Sequence, residues 1–364
     1  MDYSALYSFF LKSYAKLPRF VGSGYAFRPM TLFVELTYRC NFRCGMCQFH
    51  NLLDDPRLNE EQNEELSTEE IKRVIDEIIP YGLVSFTGGE PLLRKDLFEL
   101  VRHACKRHKV YLVTNGLLLK DEISRRMVEL GCSGLFSRGV AAVGISVEGT
   151  NRTHDETVKA PGSFDKIMQN AETFLRFRQD ARKRYPLVAL KCVITQNNVE
   201  QLADLYRLAE GIGADIFNPI TFYKMPDADR FEMSGKLNMD TPPKPFINFN
   251  VRALKAGLDE IFEMSQSSPV QLRLTPPGIS RGDVTAIYEN RLDMSNKACY
   301  SPWSSVALSA YGDVFPCSNY SVGNIRNDEF MKLWNGEPMR GFRRELKKRG
   351  IFNACKACCA IVRK

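Results

Sequence analysis

Residues 40–47 read Cys-Asn-Phe-Arg-Cys-Gly-Met-Cys, "CNFRCGMC": three cysteines within eight residues and no fourth nearby. An apolar, β-branched run, "TLFVELT" (31–37), precedes them. Such a run has the composition of a strand. Structural metal sites and cubane clusters normally take four protein ligands, so three leave one metal position open. Zinc prefers paired C-x2-C units and four ligands, which this C-x3-C-x2-C spacing does not provide. A loop carrying Asn, Arg and Gly is not core composition either. A thiolate-rich set in a reducing compartment suits iron–sulfur chemistry.

Working outward, the same alternation repeats. Candidate strands follow at "LVSFT" (83–87), "VYLVT" (110–114), "AVGISVE" (142–148), "LVALKCVIT" (187–195) and "DIFNPI" (215–220). Helical periods separate them. Ser67 with Glu70 forms a capping box ahead of the stripe Ile71, Val74, Ile75 and Ile78. "DLFELVRHACKRH", "KDEISRRMVELG", "SFDKIMQNAETFLRF" and "NVEQLADLYRLAEGIG" are further helices, the last ending on a C-cap glycine. Six βα units predict an α/β fold with a parallel sheet, either open and doubly wound or a partial barrel. Ligands then belong at the C-terminal ends of the strands. The polar and glycine-rich clusters all fall at that end: "CNFRCGMC", "GGEP" (88–91), "TNG" (114–116), "SVEG" (146–149) and "TQNN" (195–198).

The chain has 364 residues, 44% hydrophobic and 26% charged, an ordinary globular balance. No apolar run is long enough to span a bilayer. The start is broken by Lys12 and lacks a cleavage site, so a cytoplasmic location is expected. Eleven cysteines there favour ligation or buried thiols over disulfides. The net charge of +7 is uneven. The tail from Arg340 onward is basic, a solvated face or a docking face for an acidic protein. No motif points to nucleic acid. Leu6, Phe9, Phe10, Tyr14 and Leu17 make an apolar helix face, read as docked on the barrel, or alternatively as an interfacial membrane helix. The expected organisation is a helical extension (1–29), a βα core (30–235), a linker with a helix (236–296) and a small cysteine-bearing domain (297–364).

"CNFRCGMC" after "LFVELTYR", reinforced in order by "FTGGEPLLR", "LVTNG", "GISVEG" and "THDETVKAPGSF", resembles the radical S-adenosylmethionine (SAM) superfamily over roughly residues 30–225. The resemblance implies a partial (β/α)6 TIM-like barrel. It implies that Cys40, Cys44 and Cys47 hold a [4Fe-4S] cluster whose fourth iron binds SAM, which answers the open position. Gly88 and Gly89 are then expected to let backbone approach the methionine part of SAM, Glu90 to accept from its ammonium, and Pro91 to fix the turn. Asn115, Ser146, Glu148 and Asn198 are candidate contacts to the SAM carboxylate and ribose, though Asn and Ser also cap helices. Phe42 and Phe49 are expected to shield the cluster. His154 reads as structural.

A second set, Cys299, Cys317, Cys355 and Cys358, lies in "CYSPW…AYGDVFPC…CKAC". By itself it fits a four-thiolate zinc ribbon. With "GDVFPC", "VGNI" and "LWNG" it resembles the SPASM/Twitch extension, which implies one auxiliary [4Fe-4S] cluster serving electron transfer. Cys359 could replace Cys358 as ligand. The resulting expectation is an oxidation or dehydrogenation of a small molecule of sugar, cyclitol or lipid type. An acidic electron donor such as flavodoxin or ferredoxin would suit the basic tail. Alternatives are a peptide or protein maturase, a radical epimerase using a thiol such as Cys192 as hydrogen donor, and a zinc-binding scaffold.

Overall fold

The computed structural model describes residues 13–49, 53, 64–134, 136–222, 239, 242–317, 320–356, 358 and 360–363. Six parallel strands form the centre of the sheet: β1 (Thr31–Glu35), β2 (Leu83–Thr87), β3 (Lys109–Thr114), β4 (Gly139–Ser146), β5 (Leu187–Ile194) and β6 (Ile216–Thr221). They lie in sequence order, each parallel to the next. Helices α1 (Thr68–Glu77), α2 (Leu97–Cys105), α3 (Asp121–Glu129), α4 (Asn151–Val158), α5 (Ser163–Asp180) and α6 (Leu202–Gly211) connect them. This parallel sheet with helical crossovers is the partial TIM-like barrel that the sequence predicts.

Strand parity decides which residues see the helices. Successive side chains point to opposite faces, and Leu32, Val34, Val84, Phe86, Val110, Leu112, Val188 and Leu190 are all essentially inaccessible. Their alternates, among them Phe33, Tyr111 and Lys191, are partly exposed on the inner face. The capping box at Ser67 and Glu70 is formed as read from the sequence. At the end of α6, Gly213 takes φ +74°. The N–H groups of Gly213 and Ala214 bond to Glu210 and Ala209 oxygens, closing the turn as a Schellman motif.

The segment expected to be a linker is more structured than its sequence suggests. Residues 223–238 lie outside the described residues. Beyond them come α7 (Val251–Met264), β7 (Gln271–Leu272), which adds a parallel strand to β6, and α8 (Arg281–Tyr288). On the opposite edge, β9 (Ser305–Leu308) runs parallel to β1, and β10 (Val314–Phe315) is antiparallel to β9. Strands of the cysteine-bearing C-terminal part therefore extend the barrel sheet itself. Gly312, at φ +98°, turns the β9–β10 hairpin at the Tyr-Gly-Asp stretch. A separate ribbon pairs β8 (Lys297–Ala298) with β11 (Val362–Arg363).

Helices α9 (Phe330–Asn335) and α10 (Glu337–Arg349) complete the C-terminal part. Much of the basic tail is spent internally. Arg340 and Arg344 donate to Ser23 O, Lys347 to Phe20 O, and Arg343 to Gly24 O. Arg344 also pairs with Glu337, and Arg349 with Glu345. Residues 13–21 are helical. Ala15 is buried, and the Arg19 guanidinium lies 5.0 Å from the Tyr300 ring. This segment is docked, but its exposed side carries Leu17, Phe20 and Val21. Leu6, Phe9 and Phe10 lie outside the described residues. No helix among the described residues is long and apolar enough to cross a membrane.

Candidate radical site and auxiliary cysteine site

The turn after β2 lies directly against the segment leading to Cys40. Gly89 N–H donates to Thr37 O at 2.7 Å and Glu90 N–H to Arg39 O at 2.8 Å, so the β1–β2 ladder runs on past both strands. A Cβ at Gly88 would stand 2.4 Å from Thr37 O, and one at Gly89 2.2 Å from Arg39 O. The two glycines are therefore demanded by this backbone approach, a reason the sequence reading did not give. Arg94, in the same "GGEPLLR" stretch, ties the region down by donating to Leu36 O and Leu66 O while paired with Asp96.

The three cysteines sit in one neighbourhood facing the ends of β2 to β4. Phe42 N–H points to Cys40 Sγ and Phe49 N–H to Cys47 Sγ, each at 3.4 Å. Asn115 Nδ2 donates to Asn41 Oδ1 at 2.7 Å and lies 3.9 Å from Cys40 Sγ. Burial pushes the Cys40 thiol up, opposed by the Phe42 N–H. Burial also pushes Cys44 up, reinforced by the negative charge of Glu148 and then by Cys47 and Cys40. Cys40 thus faces Glu90 and Asn115, and Cys44 faces Glu148. Phe42 and Phe49 are buried, Phe49 against Tyr38 and Phe42 near His154. Among the described residues no three side chains already stand at metal-coordinating distances. The donor set nevertheless fits an iron–sulfur cluster: three thiols in mutual electrostatic contact, two N–H groups aimed at sulfur, and an aromatic surround.

Glu90 is wholly buried. One carboxylate oxygen accepts from Leu92 N–H and Thr114 Oγ1, the other from Asn115 N–H. Burial raises its pKa to about 7, against those three donors. The expected ammonium contact would have to share oxygens that already lock the β2 and β3 turns together. Pro91 opens a short 3-10 turn capped by Glu90. Ser146 ends β4 and is half-buried. Glu148 is buried, accepts from Val193 N–H, and has its pKa raised to about 7 by burial.

Asn198 takes the N-cap position that is one of its two sequence readings, whereas Cys192 stands differently from its own. Asn198 is fully buried. Its amide donates to Glu148 O and Val193 O and accepts from Thr195 N–H, bracing the loops after β4 and β5. Cys192 has the parity of Val188, Leu190 and Ile194, which pack on the helices. It is buried beside the Asn198 amide, 3.4 Å away, and not turned into the barrel, because the period of two gives the inner face to Lys191 and Val193. His154 is structural, as read: Nδ1 accepts from Glu148 N–H, and burial lowers its pKa to about 4.

The second cysteine set is assembled by the short strands. Pairing of Ala298 with Val362 brings the chain end beside Cys299. Cys358 N–H bonds to Cys355 O, and Ala360 N–H points to Cys358 Sγ. Burial pushes the Cys299 thiol up, with Cys355 and then Cys317 reinforcing it, so these three share one environment. Cys359 lies outside the described residues.

Comparison with known proteins agrees with this geometry. The family model of the radical SAM superfamily matches residues 34–209, and that of the SPASM iron–sulfur cluster-binding domain matches residues 299–359. The chain is 31% identical to the mycofactocin maturase of Mycolicibacterium smegmatis over 349 residues, 91% of this chain and 75% of the relative. It is 28% identical to the AdoMet-dependent heme synthase of Methanosarcina barkeri over 350 residues, 91% and 90% of the two chains. Among solved structures, Streptococcus suis SuiB superposes with a TM-score of 0.60 at 16% identity, covering 91% of this chain and 72% of that one. The chain belongs to the radical SAM superfamily and carries a SPASM domain. With that membership come SAM and [4Fe-4S] clusters as cofactors.

Proposed function

We propose that this enzyme oxidises a small molecule held at the C-terminal mouth of the barrel. In this reading Cys40, Cys44 and Cys47 hold the SAM-binding cluster. Gly88, Gly89, Glu90, Pro91, Asn115, Ser146 and Glu148 border SAM, with Asn198 bracing the loop behind. When bound, the cluster supplies the electron that cleaves SAM to methionine and a hydrogen-abstracting 5′-deoxyadenosyl radical. Cys299, Cys317, Cys355 and Cys358 would hold the auxiliary cluster, which would supply a one-electron acceptor for the oxidation. The observation that carries the reading is the join between the two parts: β9, leading to Cys317, lies beside β1, leading to Cys40. One continuous sheet thereby sets the spacing of both cysteine sites.

The small-molecule reading is supported by the match along nine-tenths of a heme synthase. A peptide substrate is the second reading. It draws on the 31% identity to a mycofactocin maturase. An acidic electron donor such as flavodoxin or ferredoxin would meet the exposed Lys347, Lys348, Arg349 and Lys356. The test is anaerobic reconstitution with iron counted in wild type and in a Cys40/Cys44/Cys47→Ala variant. The expected result is about eight irons against about four. Dithionite and SAM should give 5′-deoxyadenosine from wild type only. Zinc in place of iron, with no SAM cleavage, would overturn the proposal.

A further inference from the structure

The inner face of the barrel carries a cation, Lys191, that lies outside the residues assigned to the clusters and to SAM. Tyr111 on β3, Gly144 on β4 and Lys191 on β5 share that face. Gly144 is what lets the other two meet. A Cβ there would stand 2.4 Å from the Tyr111 hydroxyl and 2.7 Å from Lys191 Cδ, so both side chains lie across bare backbone. Lys191 Nζ is 5.6 Å from the centroid of the Tyr111 ring. In strand register Lys191 is flanked by Ser146 on β4 and Asn218 on β6.

Among the described residues neither polar head has a hydrogen-bond or ion-pair partner. Lys191 feels Glu148 through space, but that carboxylate accepts from Val193 N–H, and among the described residues no carboxylate forms an ion pair with Lys191. The Tyr111 hydroxyl has no hydrogen-bond partner among the described residues. Asn218 spends its NH2 on Arg273 O and Thr275 Oγ1, leaving Lys191, Tyr111 and the neighbouring Ser146 hydroxyl as donors here. A partly exposed cation with no carboxylate in ion-pair contact adds little to folding. Such a group is explained by a ligand that supplies the missing charge.

We propose that Lys191 and Tyr111 bind a carboxylate of the substrate, with Lys191 Nζ as counter-ion and the Tyr111 hydroxyl as second donor. One cation beside one neutral donor balances a monoanion; a phosphate dianion would leave charge unmatched. This inference rests on the proposed radical reading and narrows its substrate class to carboxylic acids. An acid group at Lys191 stands beside Ser146, at the strand end where SAM is assigned.

The test measures the site without needing the true substrate. Reconstituted, SAM-loaded protein is acetylated with an N-hydroxysuccinimide ester, and the rate at each lysine is read by peptide mass spectrometry during titration with benzoate or benzamide. Acetylation of Lys191 is expected to slow about threefold once benzoate reaches twice its dissociation constant. Benzamide should do nothing, and the exposed Lys347, Lys348 and Lys356 should keep their rates under both. Equal behaviour of Lys191 in benzoate and benzamide overturns the proposal, as does a Lys191 that never reacts. The two readings separate cleanly. Protection without 5′-deoxyadenosine formation keeps the anion site and sinks the radical reading, whereas 5′-deoxyadenosine without selective protection does the reverse.

Discussion

Gly89 and Arg39 are packed so closely that a methyl group on Gly89 would lie 2.2 Å from the Arg39 carbonyl oxygen. The contact holds the turn after β2 against the chain entering the cysteine loop. Gly89→Ala must therefore move backbone, and not merely a side chain. The expected cost is about 3 kcal/mol, the upper end for overpacking. Urea unfolding checks the stability. Iron counting should show loss confined to the Cys40 set, with the C-terminal cluster retained.

Glu90 joins two turns through three donors, one of them Asn115 N–H. In Glu90→Gln one carboxylate oxygen becomes an NH2 group that must face a donor. An unsatisfied buried pair of this kind costs about 2 kcal/mol. Denaturant titration should show that loss, together with weaker SAM binding by equilibrium dialysis.

Glu148 gives a pH signature. Its pKa is raised by burial from an ordinary carboxyl value to about 7. The folded state therefore holds its proton over a range where the unfolded chain has released it. This group's contribution to stability is fully present below the unfolded value and is lost as pH rises through about 7. Glu148→Gln retains an acceptor for Val193 N–H and cannot titrate. The stability of wild type relative to this variant should fall by about 3 kcal/mol between pH 4.5 and 8, measured by urea unfolding of the apoprotein.

Cys192 packs with the helix-facing residues of β5. Cys192→Ala should cost about 1–2 kcal/mol through lost packing. It should leave the rate of 5′-deoxyadenosine formation unchanged. A large fall in that rate at unchanged stability would restore a hydrogen-donor role.

Arg343 is fully buried and has no carboxylate partner among the described residues. It donates to Pro302 O, Gly24 O and Asn335 Oδ1 and lies 4.1 Å from the Trp334 ring. Arg343→Met would strand those acceptors and unfasten residues 23–27 from the C-terminal part, at a cost of about 3 kcal/mol. Thermal unfolding checks the cost. Limited proteolysis should then cut first near Gly24.

Local chemistry was enough for the repeating units. The β-branched runs, the Ser67–Glu70 box and the glycine after α6 each act over a few residues, and the structure has all three as read. The cysteine spacings and GGEP carried the family for the same reason, since a cluster loop and a tight turn are short-range objects. Contacts between distant segments decided the rest. Pairing of β9 with β1 merges the C-terminal part into the barrel sheet, and nothing in "SVALSAYGDVFPC" names its partner strand. The glycines at 88 and 89 were legible, but not the Thr37 and Arg39 carbonyls that require them. Parity along β5 could be counted, yet which parity faces the helices depends on how the neighbouring strands bury theirs. That choice sent Cys192 into the core and Lys191 into the lumen. Sequence specified what each segment can form; burial and register, which are properties of the whole sheet, decided what each side chain meets.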